Sequence, residues 1–82
     1  MDKQFSDAFG PVLRQIRMSR NMTQEVLGGL VGVSSPYISM LESSRNYTSL
    51  EMIFRLASVL NVNPSFIFEQ MEKRLDWKGK QN

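Results

Sequence analysis

One side of a short predicted helix carries hydroxyl groups and apolar surface, supplied by Ser35, Pro36, Tyr37, Met40 and Ser43. Hydroxyl groups donate and accept hydrogen bonds, and a thioether packs readily against methyl groups. The sequence contains no histidine and no cysteine, so it lacks the commonest general base and the thiolate nucleophile. These side chains are therefore suited to recognising a surface, and the sequence predicts no catalytic, metal or cofactor site.

The helix that positions these residues follows a tight turn after another short helix. Thr23 is predicted to cap the first helix and Gly32 to end it, and Ser34 is predicted to cap the second. Ile38 and Leu41 share one face of the second helix, which leaves the polar face outward. This pattern is a helix-turn-helix, and its second helix has the shape that enters a DNA major groove.

The run Val12-Leu13-Arg14-Gln15-Ile16-Arg17 through Glu42 resembles the Cro/repressor-type (xenobiotic-response-element) family of helix-turn-helix regulators, in which LRxLRxxxxLTQExLAxxxGVSxxYISxxE recurs. The resemblance covers residues 12 to about 68 and places the motif at about 23–43. It implies an all-α, compact five-helix bundle of the lambda-repressor-like DNA-binding type, with residues 1–82 as one domain. It also implies a homodimer that binds inverted repeats in double-stranded DNA. At a promoter, this homodimer is expected to occlude or contact RNA polymerase.

The same resemblance assigns roles around the second helix of the motif. Ser35, Pro36 and Met40 take the base-reading positions, Tyr37 contacts backbone or base, and Gln24 anchors a phosphate. The full predicted DNA-contacting set is Gln24, Ser34, Ser35, Pro36, Tyr37, Met40, Ser43, Ser44, Arg45 and Asn46. The helix positions lack the Arg, Lys, Gln and Asn side chains that make bidentate base contacts. Direct readout is therefore expected to be sparse, and contacts to thymine methyls, the loop residues or DNA shape supply the rest.

Other positions in this region are expected to be structural. By the resemblance, Arg17 and Glu42 pair and link the first and third helices. Ser39 is expected to allow close packing through its small side chain. Gly28 is expected to let the two helices of the motif cross closely, whereas Gly29 has no such role and costs the helix roughly 1 kcal/mol relative to alanine.

Helical spacing and capping residues predict five helices in the sequence. The first runs to about Arg20, and its start has two alternatives. Gly10 caps it with Pro11 in the first turn, or Ser6 caps an earlier turn and Pro11 kinks the helix. Asn21 is expected to end this helix in a left-handed conformation.

The remaining helices are also indicated by their termini and apolar spacing. The inward positions of the second helix are predicted to be Val26, Leu27, Leu30 and Val31. Thr48 and Glu51 are read as a capping box that opens the fourth helix, which Asn61 ends. Asn63 and Pro64 are read as the cap and first residue of the fifth helix.

Apolar residues are in excess near the end of the chain, from Phe66 to Trp77. Contiguous apolar surface usually marks an interface, so residues from about 48 to 76 are predicted to form the dimerisation region. Its predicted contacts are Leu50, Asn63, Pro64, Ile67, Phe68 and Met71. In the alternative, Phe66, Met71 and Leu75 pack back onto Phe5 and Phe9. The tail at residues 78–82 is expected to be flexible.

The length, composition and charge of the chain limit the classes of protein to which it can belong. The 82 residues suffice for one domain, and 41% of them are hydrophobic. No apolar stretch approaches the roughly 18 residues that cross a membrane, so a cytoplasmic protein without membrane contact is expected. The net charge of +2 is only weakly basic.

Two functions follow as expectations. The first is an autoregulatory DNA-binding regulator, most similar to the controller proteins of restriction–modification systems. The alternative is an antitoxin-like or adaptor module that uses the same fold to bind a protein.

Overall fold

The structure, a computed structural model, describes residues 4–75 of the 82-residue chain. Within that range the chain is all-α, as predicted, with α1 (Gln4–Ser19), α2 (Gln24–Val31), α3 (Ser35–Glu42), α4 (Leu50–Leu60) and α5 (Pro64–Leu75). Helix α1 packs against α3 and α5, and α2 packs against α3 and α4. None of these helices is long and apolar enough to cross a membrane. The predicted flexible tail, 78–82, and Trp77 lie outside the described residues.

Helix α1 begins upstream of both starts that the sequence suggested. Ser6, Gly10 and Pro11 all lie inside it, so both predicted starts are wrong. Proline has no N–H, and one hydrogen bond to the carbonyl four residues earlier is lost at Pro11. Burial of Phe9, which is 1% exposed, ties this part of α1 to the core and offsets that loss.

The core is built from one apolar side of each helix. Its fully buried large side chains are Phe9, Val12, Leu13, Leu27, Ile38, Leu41, Ile53, Leu56, Leu60 and Ile67. In α2, Leu27 and Val31 are buried, but Val26 and Leu30 are 49% and 58% exposed. The inward prediction for those two residues is wrong because the eight-residue α2 contacts the rest of the domain along one side only.

Hydroxyl side chains begin α2, α3 and α4. Thr23 and Ser34 accept hydrogen bonds from the backbone N–H three residues later, at 3.0 and 3.2 Å, which confirms both predicted caps. In α4 the cap is Ser49, which accepts at 3.0 Å from the N–H three residues later. The predicted box of Thr48 and Glu51 is therefore wrong, since the extended backbone that a cap requires falls at Ser49. Among the described residues, Oγ1 of Thr48 is buried without a hydrogen-bond partner.

Residues with left-handed backbone conformation end several of the helices, and arginine side chains bind the carbonyls left free at two of these ends. Asn21, Gly32 and Asn61 have φ values of 57°, 93° and 59°, as their predicted roles as helix terminators require. Arg20 Nε donates to the carbonyl of Leu60 at the end of α4, at 2.8 Å. Arg55 Nη2 donates to the carbonyl of Val31 at the end of α2, at 2.7 Å. Both cations thus satisfy C-terminal carbonyls and favour the negative ends of the helix dipoles.

Candidate nucleic-acid interface

A tight turn sets the angle between α2 and α3. The carbonyl of Gly28 accepts hydrogen bonds from the N–H groups of Gly32 and Val33, both at 2.8 Å. A Cβ at Gly28 would lie 2.7 Å from the carbonyl oxygen of Val33. The predicted close approach at Gly28 is therefore present, but the turn itself is the partner. A Cβ at Gly29 would meet nothing within 4 Å.

Helix α3 is held on the domain by two fully buried apolar side chains and by a close approach of its backbone to α1. Ile38 and Leu41 have no exposed surface. On α1, a Cβ at Gly10 would lie 2.6 Å from the carbonyl oxygen of Glu42 and 2.7 Å from that of Leu41. Helices α1 and α3 therefore meet backbone to backbone near the end of α3, which fixes the orientation of α3.

The predicted pair of Arg17 and Glu42 is present. Arg17 Nε and Nη2 donate to Glu42 Oε2 and Oε1 at 2.6 and 3.0 Å, and the side chains are 10% and 4% exposed. Arg17 Nη1 also donates to the carbonyl of Met22 at 2.6 Å. Gln24 Nε2 donates to Glu42 Oε1 at 3.0 Å. One carboxylate thus joins α1, α2 and α3, and one amide hydrogen of Gln24 is used inside the protein rather than on a phosphate.

Two parallel rows of side chains cover the outer face of α3. Ser35, Ser39 and Ser43 recur every four residues and form a hydroxyl row, and Pro36 and Met40 form an apolar row beside it. Pro36, Ser39 and Ser43 are exposed, and Ser35 and Met40 are half-buried. The packing role predicted for Ser39 is wrong, because its side chain is exposed to solvent. Ser39 is the outward residue that sequence reasoning missed, although its spacing from Ser35 signals it.

Ser34 and Tyr37 lie at the beginning of this face. The hydroxyl of Ser34 is exposed and accepts from the N–H of Tyr37, so its own proton is available to a ligand. Tyr37 is half-buried and packs against the core. Its ring therefore supports α3 as well as bordering the candidate surface.

The loop after α3 contributes unequally to this surface. Ser44 has φ 65° and donates from Oγ to the carbonyl of Ser6 at 2.8 Å, so its hydroxyl is turned toward α1 and the hydroxyl proton is used inside the protein. Arg45 is exposed and Asn46 is half-buried. Both line a polar depression of about 400 Å³ that also includes Asp7.

The predicted dimer residues divide between surface and core. Leu50 is 65% exposed, Asn63 is exposed, and Pro64 and Phe68 are half-buried. Ile67 and Met71 are 1% and 3% exposed. The prediction for those two is wrong, because they pack within the domain's own core, with Phe5, Phe9 and Leu75 in the same cluster.

Exposed apolar surface remains on α4 and α5. Leu50 and Phe54 are one turn apart on α4 and are 65% and 55% exposed. One turn further, Ser58 lines a groove of about 720 Å³ together with Phe66, which is 41% exposed. The stripe from Leu50 through Phe54 thus leads to the groove at Phe66. Within residues 4–75, no group of acidic, histidine or cysteine side chains could hold a metal ion.

A short helix, a tight turn and a second helix held on the core with its outer face open define a helix-turn-helix domain. The chain belongs to the helix-turn-helix family HTH_3, whose pattern matches residues 13–67. This result confirms the resemblance seen in the sequence.

Two curated relatives extend the comparison. An uncharacterized HTH-type transcriptional regulator of Archaeoglobus fulgidus is 36% identical over 62 residues, covering 73% of this chain and 87% of the relative. The uncharacterized HTH-type transcriptional regulator y4aM of Sinorhizobium fredii is 32% identical over 62 residues, covering 76% of this chain and 43% of the relative. The matched part thus spans less than half the length of the Sinorhizobium protein.

Solved structures share the fold. The restriction-modification controller protein C.AhdI of Aeromonas hydrophila is 32% identical, with a TM-score of 0.70 covering 73% of this chain and 91% of that one. The clp gene regulator ClgR of Corynebacterium glutamicum superimposes with a TM-score of 0.83 over 99% of this chain and 84% of that one. At 22% identity, the second match shows a common fold alone.

Proposed function

We propose that this protein is a sequence-specific DNA-binding transcriptional regulator. The observation that carries the proposal is helix α3, which is capped by Ser34, held by Ile38 and Leu41, and open along its outer face. A helix presented in this way enters the major groove, and flanking polar groups contact phosphates. The names of the curated relatives support the same function.

Substitution at the centre of the outer face tests DNA binding. Met40→Glu places a carboxylate against base edges and phosphates, so duplex binding measured by fluorescence anisotropy is expected to disappear. Gln15→Glu adds the same charge on the exposed side of α1 and serves as the matched control. Circular dichroism should show equal helix content in both variants. If Met40→Glu bound the duplex as tightly as the unsubstituted protein, the proposal that α3 enters the major groove would be refuted.

We also propose that two chains act together on inverted repeats. Two-fold dimers place their recognition helices about 34 Å apart, one turn of B-DNA. The exposed stripe of Leu50 and Phe54, which continues toward Phe66, supports a dimer contact through α4 and the start of α5. Asn63 lines the groove together with Phe66, and Pro64 follows it as the first residue of α5.

Sedimentation measurements test the dimer. Leu50→Glu combined with Phe54→Glu should give monomers, because burying two carboxylates in an apolar contact is unfavourable. Leu30→Glu alters an equally exposed leucine on α2 and should leave the dimer intact. A double variant that stays dimeric would place the contact elsewhere.

The regulated gene is proposed to be the protein's own. Similarity to the controller protein C.AhdI supports a role in controlling a restriction–modification system, by contacting or occluding RNA polymerase at the promoter. Binding to the duplex immediately upstream of the gene should exceed binding to a scrambled duplex by at least ~10³-fold. Equal binding to both duplexes would refute autoregulation.

The exposed apolar stripe also favours a second candidate, an antitoxin-like or adaptor module that binds a protein. Salt separates the two functions. A protein that binds DNA neutralises phosphates and releases their counterions, so its affinity falls steeply as the salt concentration rises. The affinity of an apolar protein contact through Leu50 and Phe54 would change little with salt.

A further inference from the structure

The outer face of α3 has an unusual chemical composition for a surface that reads bases. Hydroxyl groups recur at Ser35, Ser39 and Ser43, and the neighbouring row is Pro36 and Met40. The face therefore contains no amide, guanidinium, ammonium or carboxylate group. It offers hydroxyl hydrogen bonds on one side and apolar surface on the other.

These two rows cannot read the hydrogen-bond code of the major groove with much precision. Discrimination between base pairs by hydrogen bonds rests on bidentate Arg, Lys, Asn or Gln, or on acceptance from cytosine by a carboxylate. A serine hydroxyl serves donors and acceptors alike. The remaining distinctive group in the major groove is the C5-methyl of thymine, which apolar side chains contact.

The spacing of the apolar row fits such methyl groups. Pro36 and Met40 are four residues apart, or about 6 Å along the helix axis at 1.5 Å per residue. Two base-pair steps of about 3.4 Å cover a similar distance. One half-site can therefore present two methyl groups to this row.

We infer that helix α3 recognises C5-methyl groups of pyrimidines, with Pro36 and Met40 as the specificity-determining contacts and Ser39 between them as an indifferent hydrogen-bonding partner. The inference rests on the proposed DNA-binding function and names the feature of DNA that is read. It applies to 5-methylcytosine as well as thymine, because both bases carry the same methyl group at the same place. Arg45 and Asn46 follow the end of α3 and are assigned to phosphates.

Replacing thymine by uracil tests the inference, because only the methyl group is removed. Duplexes selected by the full chain from a random-sequence pool are re-amplified with dTTP or dUTP, and both products are measured by fluorescence anisotropy. Loss of one methyl contact in each of two half-sites should weaken binding roughly tenfold, and loss of both contacts in each half-site roughly a hundredfold. In the Met40→Ala variant this ratio should fall by roughly tenfold, the share of one contact in each half-site, while Pro36 keeps its own contact; in the control Ser39→Ala the ratio should keep its full value.

The outcomes separate this inference from the function on which it rests. Absence of selected duplexes would overturn DNA binding itself. Tight, sequence-preferring binding that is equal for thymine and uracil duplexes would leave DNA binding intact and overturn methyl reading. A uracil effect that persists fully in Met40→Ala would assign it to DNA shape and also overturn the inference.

A second arm tests the extension to 5-methylcytosine. Cytosine and 5-methylcytosine are placed at the positions where uracil weakens binding, with guanine opposite. The methylated duplex should bind roughly threefold more tightly per half-site than the unmethylated one. Equal binding would overturn the extension.

Discussion

Arg17 and Glu42 are separated by 25 residues in the chain, yet their side chains form two hydrogen bonds of 2.6 and 3.0 Å between α1 and the last residue of α3. Because both side chains are nearly inaccessible to solvent, neither charge is compensated by water. Gln24 of α2 also donates a hydrogen bond to the Glu42 carboxylate. All helices of the motif and the helix that supports it therefore depend on one carboxylate.

Removing the arginine of this pair should destabilise the domain strongly. Arg17→Met leaves the Glu42 carboxylate buried without its cation, and the free energy of unfolding in urea should fall by about 3–5 kcal/mol. Arg14→Met, an exposed position on the same helix, should change it by less than about 0.5 kcal/mol. The double variant Arg17→Met with Glu42→Met should be more stable than Arg17→Met alone. If Arg17→Met were as stable as Arg14→Met, a structural role for the pair of Arg17 and Glu42 would be contradicted.

Adjacent glycines of α2 should respond to alanine in opposite directions. Gly29→Ala meets open space and improves helix propensity, so the domain should gain about 0.5–1 kcal/mol. Gly28→Ala forces a Cβ to within 2.7 Å of the Val33 carbonyl oxygen, and should cost about 1–3 kcal/mol. Thermal unfolding resolves this difference, since 1 kcal/mol shifts Tm by roughly 4–8 °C in a domain of this size. Two shifts of the same sign would contradict the turn geometry.

Neighbouring hydroxyl residues before α4 provide a third comparison. Ser49→Ala removes the cap and should lower stability by about 1 kcal/mol. Thr48→Val keeps the shape but removes a buried hydroxyl oxygen that has no partner among the described residues, so stability should be unchanged or rise by up to about 1 kcal/mol. Urea unfolding of the two variants decides which residue is the cap, and greater damage from Thr48→Val would restore the box predicted from sequence.

The loop after α3 should contribute to affinity through charge. If Arg45 contacts one phosphate in each protomer of a dimer, Arg45→Met should reduce the slope of log affinity against log salt by about 2. Lys73→Met, an exposed cation near the end of α5, is the control and should leave the slope unchanged. A parallel loss of slope in both variants would indicate general electrostatic attraction rather than a contact at the loop.

Local signals in the sequence predicted most of the motif. Thr23 and Ser34 were correct as caps because capping depends on a few consecutive residues and on the backbone they adopt. Ile38 and Leu41 were correctly assigned to the core because helical spacing separates two faces of a helix even when the helix is short.

The errors arose where tertiary packing decides the outcome. Val26 and Leu30 are apolar and correctly spaced, but none of the five described helices covers that side of α2. Ser39 was assigned to packing although the close contact lies elsewhere on α3. At Pro11, burial of the surrounding helix prevailed over a local signal for a helix start. Ile67 and Met71 were assigned to a partner, but α5 buries them against the rest of the domain.

The contact at Gly10 has a consequence for the entropy of binding. Where α1 crosses α3, carbonyl oxygens of Leu41 and Glu42 face a residue without a side chain, so no rotatable bond separates the two backbones. The thermal exchange of rotamers that loosens most helix contacts cannot tilt α3 at this point. The direction of α3 is therefore set when the chain folds, and a ligand that docks on α3 does not have to order the helix itself in addition to the usual costs of association and of ordering surface side chains.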